Sequence, residues 1–237
     1  MNANRLFCFG HRGARGHEPE NTLCSVRKAL ALGADGVEVD VHLADGQLVV
    51  IHDHTLGRTT NGSGFVARKS FAYLRSLDVG CGEKIPVLVE VFDTVDRLAV
   101  INVELKGAHT AKPVLALIED YVQHRGWRYE DFLVSSFDHK QLRAIKNLQP
   151  EIRIGALVVR VPRGLAAFAG RLGAWSLNVA KEHVTPALVA DAHARGLKVF
   201  VYTVNEPADI ARMAALGVDG VFSDFPERVV SMIVTSP

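Results

Sequence analysis

Glu38 and Asp40 stand two residues apart in the stretch 36–53, GVEVDVHLADGQLVVIHD. Alternation with Val37, Val39 and Val41 marks a β-strand, so the two carboxylates share one face and the valines the other. Two such charges repel by roughly 4 kcal/mol at ~4 Å and an effective dielectric of about 20. A strand tolerates that if both face water, if one is protonated, or if a cation sits between them. A tight turn at Ala44-Asp45-Gly46 sends the chain back along a second strand, which delivers His52-Asp53 toward the same place. Further on, INVELK sets Glu104 and Lys106 on one face of another strand. Three carboxylates from two strands, Glu38, Asp40 and Glu104, make a hard oxygen site suited to Mg²⁺ or Ca²⁺. Ordinary salt bridges to neighbouring Arg or Lys are the other reading. His11 and His52, from different strands, can serve as general base and general acid near neutral pH. Arg12 and Lys106 add fixed positive charge, and an arginine fork matches phosphate oxygens; both can also neutralise the carboxylates. Asp53 either holds the His52 ring through a hydrogen bond or initiates the turn.

Such groups need a scaffold that gathers strand ends. Short apolar runs predict strands at 6–9, 37–42 with a hairpin partner at 48–51, 100–105, 132–135, 152–159, 176–179, 199–204 and 220–223. Helical patterns fall between them, at 22–32, 111–125, 139–148, 164–172, 186–195 and 207–216. Thr185 can cap before Pro186, and Gly33, Gly196 and Gly217 each follow a helix as a stop. Without the hairpin partner there are eight strands, and eight βα units close naturally into an α/β fold, the (β/α)₈ TIM barrel. The chain then reads as one domain over 1–237, with the turn-rich segment 54–96 a small insertion between the second and third barrel strands. Barrel enzymes build their sites at the C-terminal strand ends. There the chain delivers His11-Arg12, Glu38 and Asp40, His52-Asp53, Glu104 and Lys106, Ser135-Ser136-Phe137, Tyr202-Thr203-Val204-Asn205 and Ser223-Asp224. Chance would scatter these polar residues. The remaining histidines at 17, 109, 124, 139, 183 and 193 read as structural, His54 as a turn residue, and His42 stays undecided.

Composition narrows the partners. Of 237 residues, 48% are hydrophobic, enough for a substantial core. Basic and acidic residues number 27 and 26, which gives no field that argues for nucleic acid or an anionic membrane. Three cysteines without CxxC spacing fit a reducing compartment. The opening MNANRLFCFGHRG has neither signal-peptide nor membrane-span character, so a cytoplasmic setting is the default.

Taken together, His11-Arg12-Gly13, Pro19-Glu20-Asn21-Thr22, Glu38-Val39-Asp40, His52-Asp53, Asn102-Val103-Glu104-Leu105-Lys106 and Thr203-Val204-Asn205 resemble the glycerophosphodiester phosphodiesterases. The ending 217–226, GVDGVFSDFP, is similar too, and the likeness runs in order along nearly the whole chain. The resemblance implies a divalent cation on Glu38, Asp40 and Glu104, an acid–base pair in His11 and His52, and phosphate contacts from Arg12 and Lys106. It implies hydrolysis of a deacylated phospholipid to sn-glycerol 3-phosphate and an alcohol such as choline, ethanolamine or glycerol. Phe137 and Tyr202 then wall the glycerol or head-group pocket, or pack as core at the rim. Tyr202 stands where the family more often has Trp, Gly57 where Asp is common and Ser223 where Thr is frequent, which touches substrate preference rather than activity. The partner implied is a small diester, with no nucleic acid, no stable membrane association and a homodimer left open. Two alternatives remain: lipid phosphodiester cleavage of the phospholipase C or sphingomyelinase D kind on the same barrel, and a non-catalytic binder of glycerol phosphates.

Overall fold

The structure, a computed structural model, describes residues 6–234. The ends of the domain expected over 1–237, and the first five residues of the opening stretch, lie outside the described residues. Nine strands form in chain order: β1 (Phe7–Gly10), β2 (Gly36–Ala44), β3 (Gln47–Val50), β4 (Val100–Leu105), β5 (Phe132–Ser136), β6 (Arg153–Val158), β7 (Ser176–Ala180), β8 (Lys198–Tyr202) and β9 (Gly220–Ser223). All but β3 run parallel, each bonded to the next, and β1 pairs with both β9 and β2, so eight strands close into a barrel. The ninth strand returns antiparallel on β2. One edge of β2 is shared along its length: Gly36 and Val37 face β1, whereas Val41 to Ala44 face β3. The turn between β2 and β3 has positive φ at Asp45 (50°) and Gly46 (76°), the backbone that a two-residue hairpin between twisted strands requires.

The helices are α1 (Leu23–Ala31), α2 (Phe71–Ser76), α3 (Leu88–Val95), α4 (Ala111–His124), α5 (His139–Leu148), α6 (Ala167–Leu172), α7 (Pro186–Ala194), α8 (Pro207–Ala215) and α9 (Pro226–Val234). Thr22 and Thr185 cap α1 and α7 by accepting from the Ser25 and Leu188 amides, both at 3.2 Å. Three helices differ from the sequence expectation, since none was foreseen at α2, α3 or α9. In α3 the run LVEVFDTV sets Leu88, Val91, Phe92 and Val95 at the spacing of one helical face, although its valines also suit a strand. Its start is fixed by Glu90, whose carboxylate accepts from the Val87 amide at 2.9 Å. Leu88, Val91, Phe92 and Val95 then pack into the main core, beside the buried Val37, Val39 and Val41 of β2. The rest of the 54–96 segment builds a small core of its own from Leu56, Val66, Leu74, Leu77 and Ile85 against Val49 and Ile51.

Inside the barrel the strands alternate inward and outward residues, and an aromatic layer of Phe9, Phe200 and Phe222 with Leu133 fills the interior. Phe9 and Phe222 stack with centroids 5.0 Å apart. Phe222 of that plug also lines the cavity at the carboxyl ends, where the polar groups gather. Among the described residues, no helix is long and apolar enough to cross a membrane.

Candidate functional site

At the carboxyl ends of the strands lies a cavity of about 170 Å³. Eight of the nine residues expected to act line it: His11, Arg12, Glu38, His52, Glu104, Lys106, Phe137 and Tyr202. Asp40, the ninth, is buried beside the cavity. Glu38, Asp40 and Glu104 each offer an oxygen within 4.8 Å of the others. The sheet explains this closeness: β2 and β4 are in register, with Asp40 opposite Glu104 and Glu38 opposite Asn102.

Burial and mutual repulsion raise the Glu38 carboxyl well above its ordinary range, and burial with the neighbouring Asp40 brings Glu104 to about 7. Cations offset only part of this. Lys106 Nζ lies 2.8 Å from Glu104 Oε1 and 3.7 Å from Asp40 Oδ1, and Arg12 Nε lies 3.5 Å from Asp40 Oδ2. Both readings of the carboxylates, salt-bridged and cation-binding, therefore have geometric content. One observation tips the balance: Glu38 Oε1 and Asp40 Oδ1 are buried with no hydrogen-bond partner. A buried charged oxygen left unpaired is costly, and a hard divalent cation is the partner that suits an all-oxygen trio. The residues thus fit a bound Mg²⁺ or Ca²⁺.

The loop after β1 holds the trio from one side. Arg12 adopts a left-handed backbone (φ 54°), uncommon for a side chain of its size, and this aims its amide at Glu38 Oε2, 2.7 Å away. Asn21, also left-handed, grips Asp40 twice: its side-chain amide donates to Oδ2 at 2.9 Å, and its Oδ1 accepts from the Asp40 amide at 3.1 Å.

Each histidine is anchored by a carboxylate at Nδ1. His11 meets Asp224 Oδ1 at 2.7 Å, and His52 meets Asp53 Oδ1 at 2.6 Å. An ionised carboxylate only accepts, so Nδ1 carries the proton in both rings and Nε2 keeps its lone pair. Burial pulls both rings below the ordinary histidine range despite these acidic partners. Of the two readings of Asp53, the hydrogen bond to His52 is the one present. His42 acts one step back: its Nε2 lies 3.2 Å from the His52 carbonyl, which can only accept, and its ring packs edge-on against His54.

Phe137 and Tyr202 meet edge to face at 6.1 Å on the cavity rim, with Lys106 Nζ 5.7 Å from the Phe137 ring centre. Tyr202 is tied down by a 2.8 Å bond from its hydroxyl to the Val158 carbonyl.

Sequence reasoning gave no role to Asp224, Asn205, Glu20, Asn21 or Arg58. Asp224 accepts from Asn205 Nδ2 at 2.8 Å as well as from His11, and Arg15 Nε lies 3.1 Å away. Glu20 accepts from Arg12 Nη1 at 2.7 Å and from Arg58. Burial works to raise its carboxyl, but these two cations outweigh it and hold Glu20 at about 2. The available signal was the motif itself, since Glu20 and Asn21 sit in the PENT stretch and Asp224 directly follows the last strand.

Comparison with known proteins finds relatives along nearly the whole chain. Residues 11–228 match the model of the glycerophosphoryl diester phosphodiesterase family. A glycerophosphodiester phosphodiesterase of Caldanaerobacter subterraneus subsp. tengcongensis is 37% identical over 97% of this chain and 98% of its own. One from Bacillus altitudinis is 36% identical over 94% and 96%. Among solved structures, an Oleispira antarctica phosphodiesterase in complex with the product sn-glycerol-3-phosphate superimposes with a TM-score of 0.88. It is 33% identical, covering 97% of this chain and 96% of that one.

Proposed function

The chain belongs to the glycerophosphoryl diester phosphodiesterase family and is a phosphodiesterase of that kind; from this premise we propose that it cleaves small deacylated diesters such as glycerophosphocholine or glycerophosphoethanolamine. Glu38, Asp40 and Glu104 would hold a divalent cation, Mg²⁺ or Ca²⁺. Bound there, it supplies Lewis-acid polarisation of a phosphoryl oxygen. The observation that carries the reading is the pairing of two histidines, each fixed at Nδ1 by its own carboxylate, in one cavity with Glu38 and Glu104 of that trio.

The chain's own residues divide the work. Arg12 and Lys106 gather the phosphate oxygens. One histidine takes the proton of the neighbouring glycerol hydroxyl at Nε2 as that oxygen attacks phosphorus. The other, protonated at Nε2, hands its proton to the departing alcohol. With the roles reversed, water opens the cyclic phosphate and leaves sn-glycerol 3-phosphate. Asp224 and Asp53 keep each ring in the tautomer this exchange needs and stabilise the imidazolium when it forms. Phe137 and Tyr202 wall the glycerol or head-group side. The protein acts as a single barrel domain on a small diester in the cytoplasm, and the near balance of 27 basic and 26 acidic residues supports a partner other than nucleic acid or membrane.

The test strips the protein with EDTA, supplies glycerophosphocholine and reads glycerol 3-phosphate with a coupled dehydrogenase while Mg²⁺, Ca²⁺ or Mn²⁺ is added back. Release restored by a cation in the wild type and absent in Glu38→Ala is expected. Full activity in the stripped enzyme would overturn the cation site; no release with any cation would overturn the substrate class.

A further inference from the structure

Arg58 comes from outside the barrel, five residues after Asp53 in the turn-rich start of the 54–96 segment. Its guanidinium is shared between two carboxylates. Nε donates to Asp53 Oδ2 at 2.6 Å and Nη2 to Asp53 Oδ1 at 3.1 Å; Nη1 donates to Glu20 Oε2 at 2.9 Å and Nη2 to Glu20 Oε1 at 2.7 Å. Both forks are bidentate, the geometry in which a planar guanidinium fixes orientation as well as charge.

What makes this more than a surface ion pair is what the two carboxylates hold on their other sides. Asp53 Oδ1 is bonded to His52, which arrives on the hairpin from β3. Glu20 Oε1 is bonded to Arg12, which follows β1. One half-exposed side chain thus bridges two cavity-lining residues that belong to different strands. Its side chain is 48% exposed, so the bridge adds little to global stability.

We propose that Arg58 is a positioning residue for the hydrolysis, setting the placement of His52 relative to Arg12 by bracing Asp53 and Glu20 on one guanidinium. The inference rests on the reading that His52 moves a proton and Arg12 holds phosphate. Lysine cannot replace it, because a single ammonium cannot fork to two carboxylates at once. The 54–96 segment thereby carries a part of the active site without touching substrate.

The experiment compares wild type, His52→Ala, Arg58→Ala, Arg58→Lys, Asp53→Ala and the double variant Arg58→Ala/Asp53→Ala. The full chain is assayed on glycerophosphocholine with saturating Mg²⁺, and kcat, KM and melting temperature are recorded. In Arg58→Ala, kcat is expected to fall about 10–100-fold, the usual cost of losing a group that orients an active one. The melting temperature should stay within about 4 °C of wild type. Methylguanidinium added to Arg58→Ala should recover part of the loss, Arg58→Lys should recover less than the wild-type fork provides, and the double variant should lose less than the product of the two single losses. An Arg58→Ala kcat within twofold of wild type, or losses that multiply, overturns the inference. So does a loss that tracks a loss of folded protein without methylguanidinium recovery; Arg58→Lys, which keeps the charge and most of the bulk, serves where the alanine variant does not fold. A wild type inert toward the diester removes the reading beneath the proposal as well. An active wild type with an inert His52→Ala and an unimpaired Arg58→Ala removes this inference alone.

Discussion

Adding a divalent cation to EDTA-stripped protein is expected to raise its melting temperature, and more so at pH 8 than at pH 6. The three carboxylates offer oxygens within 4.8 Å of one another, and two unit charges at that separation repel by about 3–4 kcal/mol at an effective dielectric of about 20. In the cation-free protein protons relieve this strain: Glu38 is raised well above its ordinary range and Glu104 to about 7. A cation needs the ionised forms, so it must displace whatever protons are bound. At pH 8 Glu104 is largely ionised already, whereas at pH 6 it is largely protonated. Apparent affinity should therefore weaken by roughly tenfold per pH unit for each proton displaced below that value. At a cation concentration about 100 times Kd the stabilisation is about 2.7 kcal/mol. For a chain of 237 residues, at about 2–4 °C per kcal/mol, that is a rise of about 5–11 °C. Differential scanning fluorimetry reads it directly, without turnover, across Mg²⁺, Ca²⁺ and Mn²⁺ titrations at both pH values. The Glu38→Gln protein, one charge short, should respond weakly. An unchanged melting temperature at cation concentrations that saturate activity, or an equal rise in Glu38→Gln, would refute the three-carboxylate site. Tighter binding at pH 6 would refute the proton competition.

Three further outcomes are expected. His11→Ala and His52→Ala should each lower turnover at least ~10²-fold, and near wild-type activity in either removes that residue from the mechanism. In Gly36→Ala the added methyl would collide with the Phe9 ring and crowd the Val100 carbonyl, where three strands meet. Overpacking of that kind costs about 1–3 kcal/mol, or a melting temperature roughly 2–12 °C lower; an unchanged value would mean the strands can part there freely. Asp219 is pushed up by burial but pulled down further by Lys198 Nζ, the Val199 amide and His193, each at 2.8 Å, so its folded carboxyl lies below the ordinary value. A group lowered on folding stabilises above its unfolded value, near pH 4, and loses that contribution as pH falls through the folded one. Denaturant unfolding of Asp219→Asn against wild type should show a gap at pH 7 that closes below pH ~4, and a gap constant with pH would contradict the assignment.

The barrel was legible because its strands are short apolar runs of regular spacing, and the β2–β3 hairpin because Asp45-Gly46 leaves the chain few other ways to turn. The helices that escaped notice carry mixed local signals. Leu88–Val95 has the apolar spacing of a helix face at 88, 91, 92 and 95, but its β-branched residues suit a strand as well, and the reach of Glu90 to Val87 with burial on the barrel decides for the helix. The same division runs through the site. Glu38, Asp40 and Glu104 follow from spacing on strands, a local rule. The contacts that brace the site do not, because Arg58 reaches Glu20 across 38 residues and Asp40 meets Asn21 across 19. Loops bring such pairs together, and no period in the chain encodes them.

The seam of the barrel has a consequence for how the protein comes into being. β1 closes on β9 with Phe7 opposite Gly220, and the bond that fixes His11 joins it to Asp224, 213 residues away. Contacts so distant along the chain are the slowest to form. A chain without residue 224 leaves His11 without the group that orients it. Catalytic competence is thus born in the same event that sews the cylinder shut. During refolding, turnover should lag the return of helical circular dichroism, and the enzyme would serve as its own timekeeper for the last stitch.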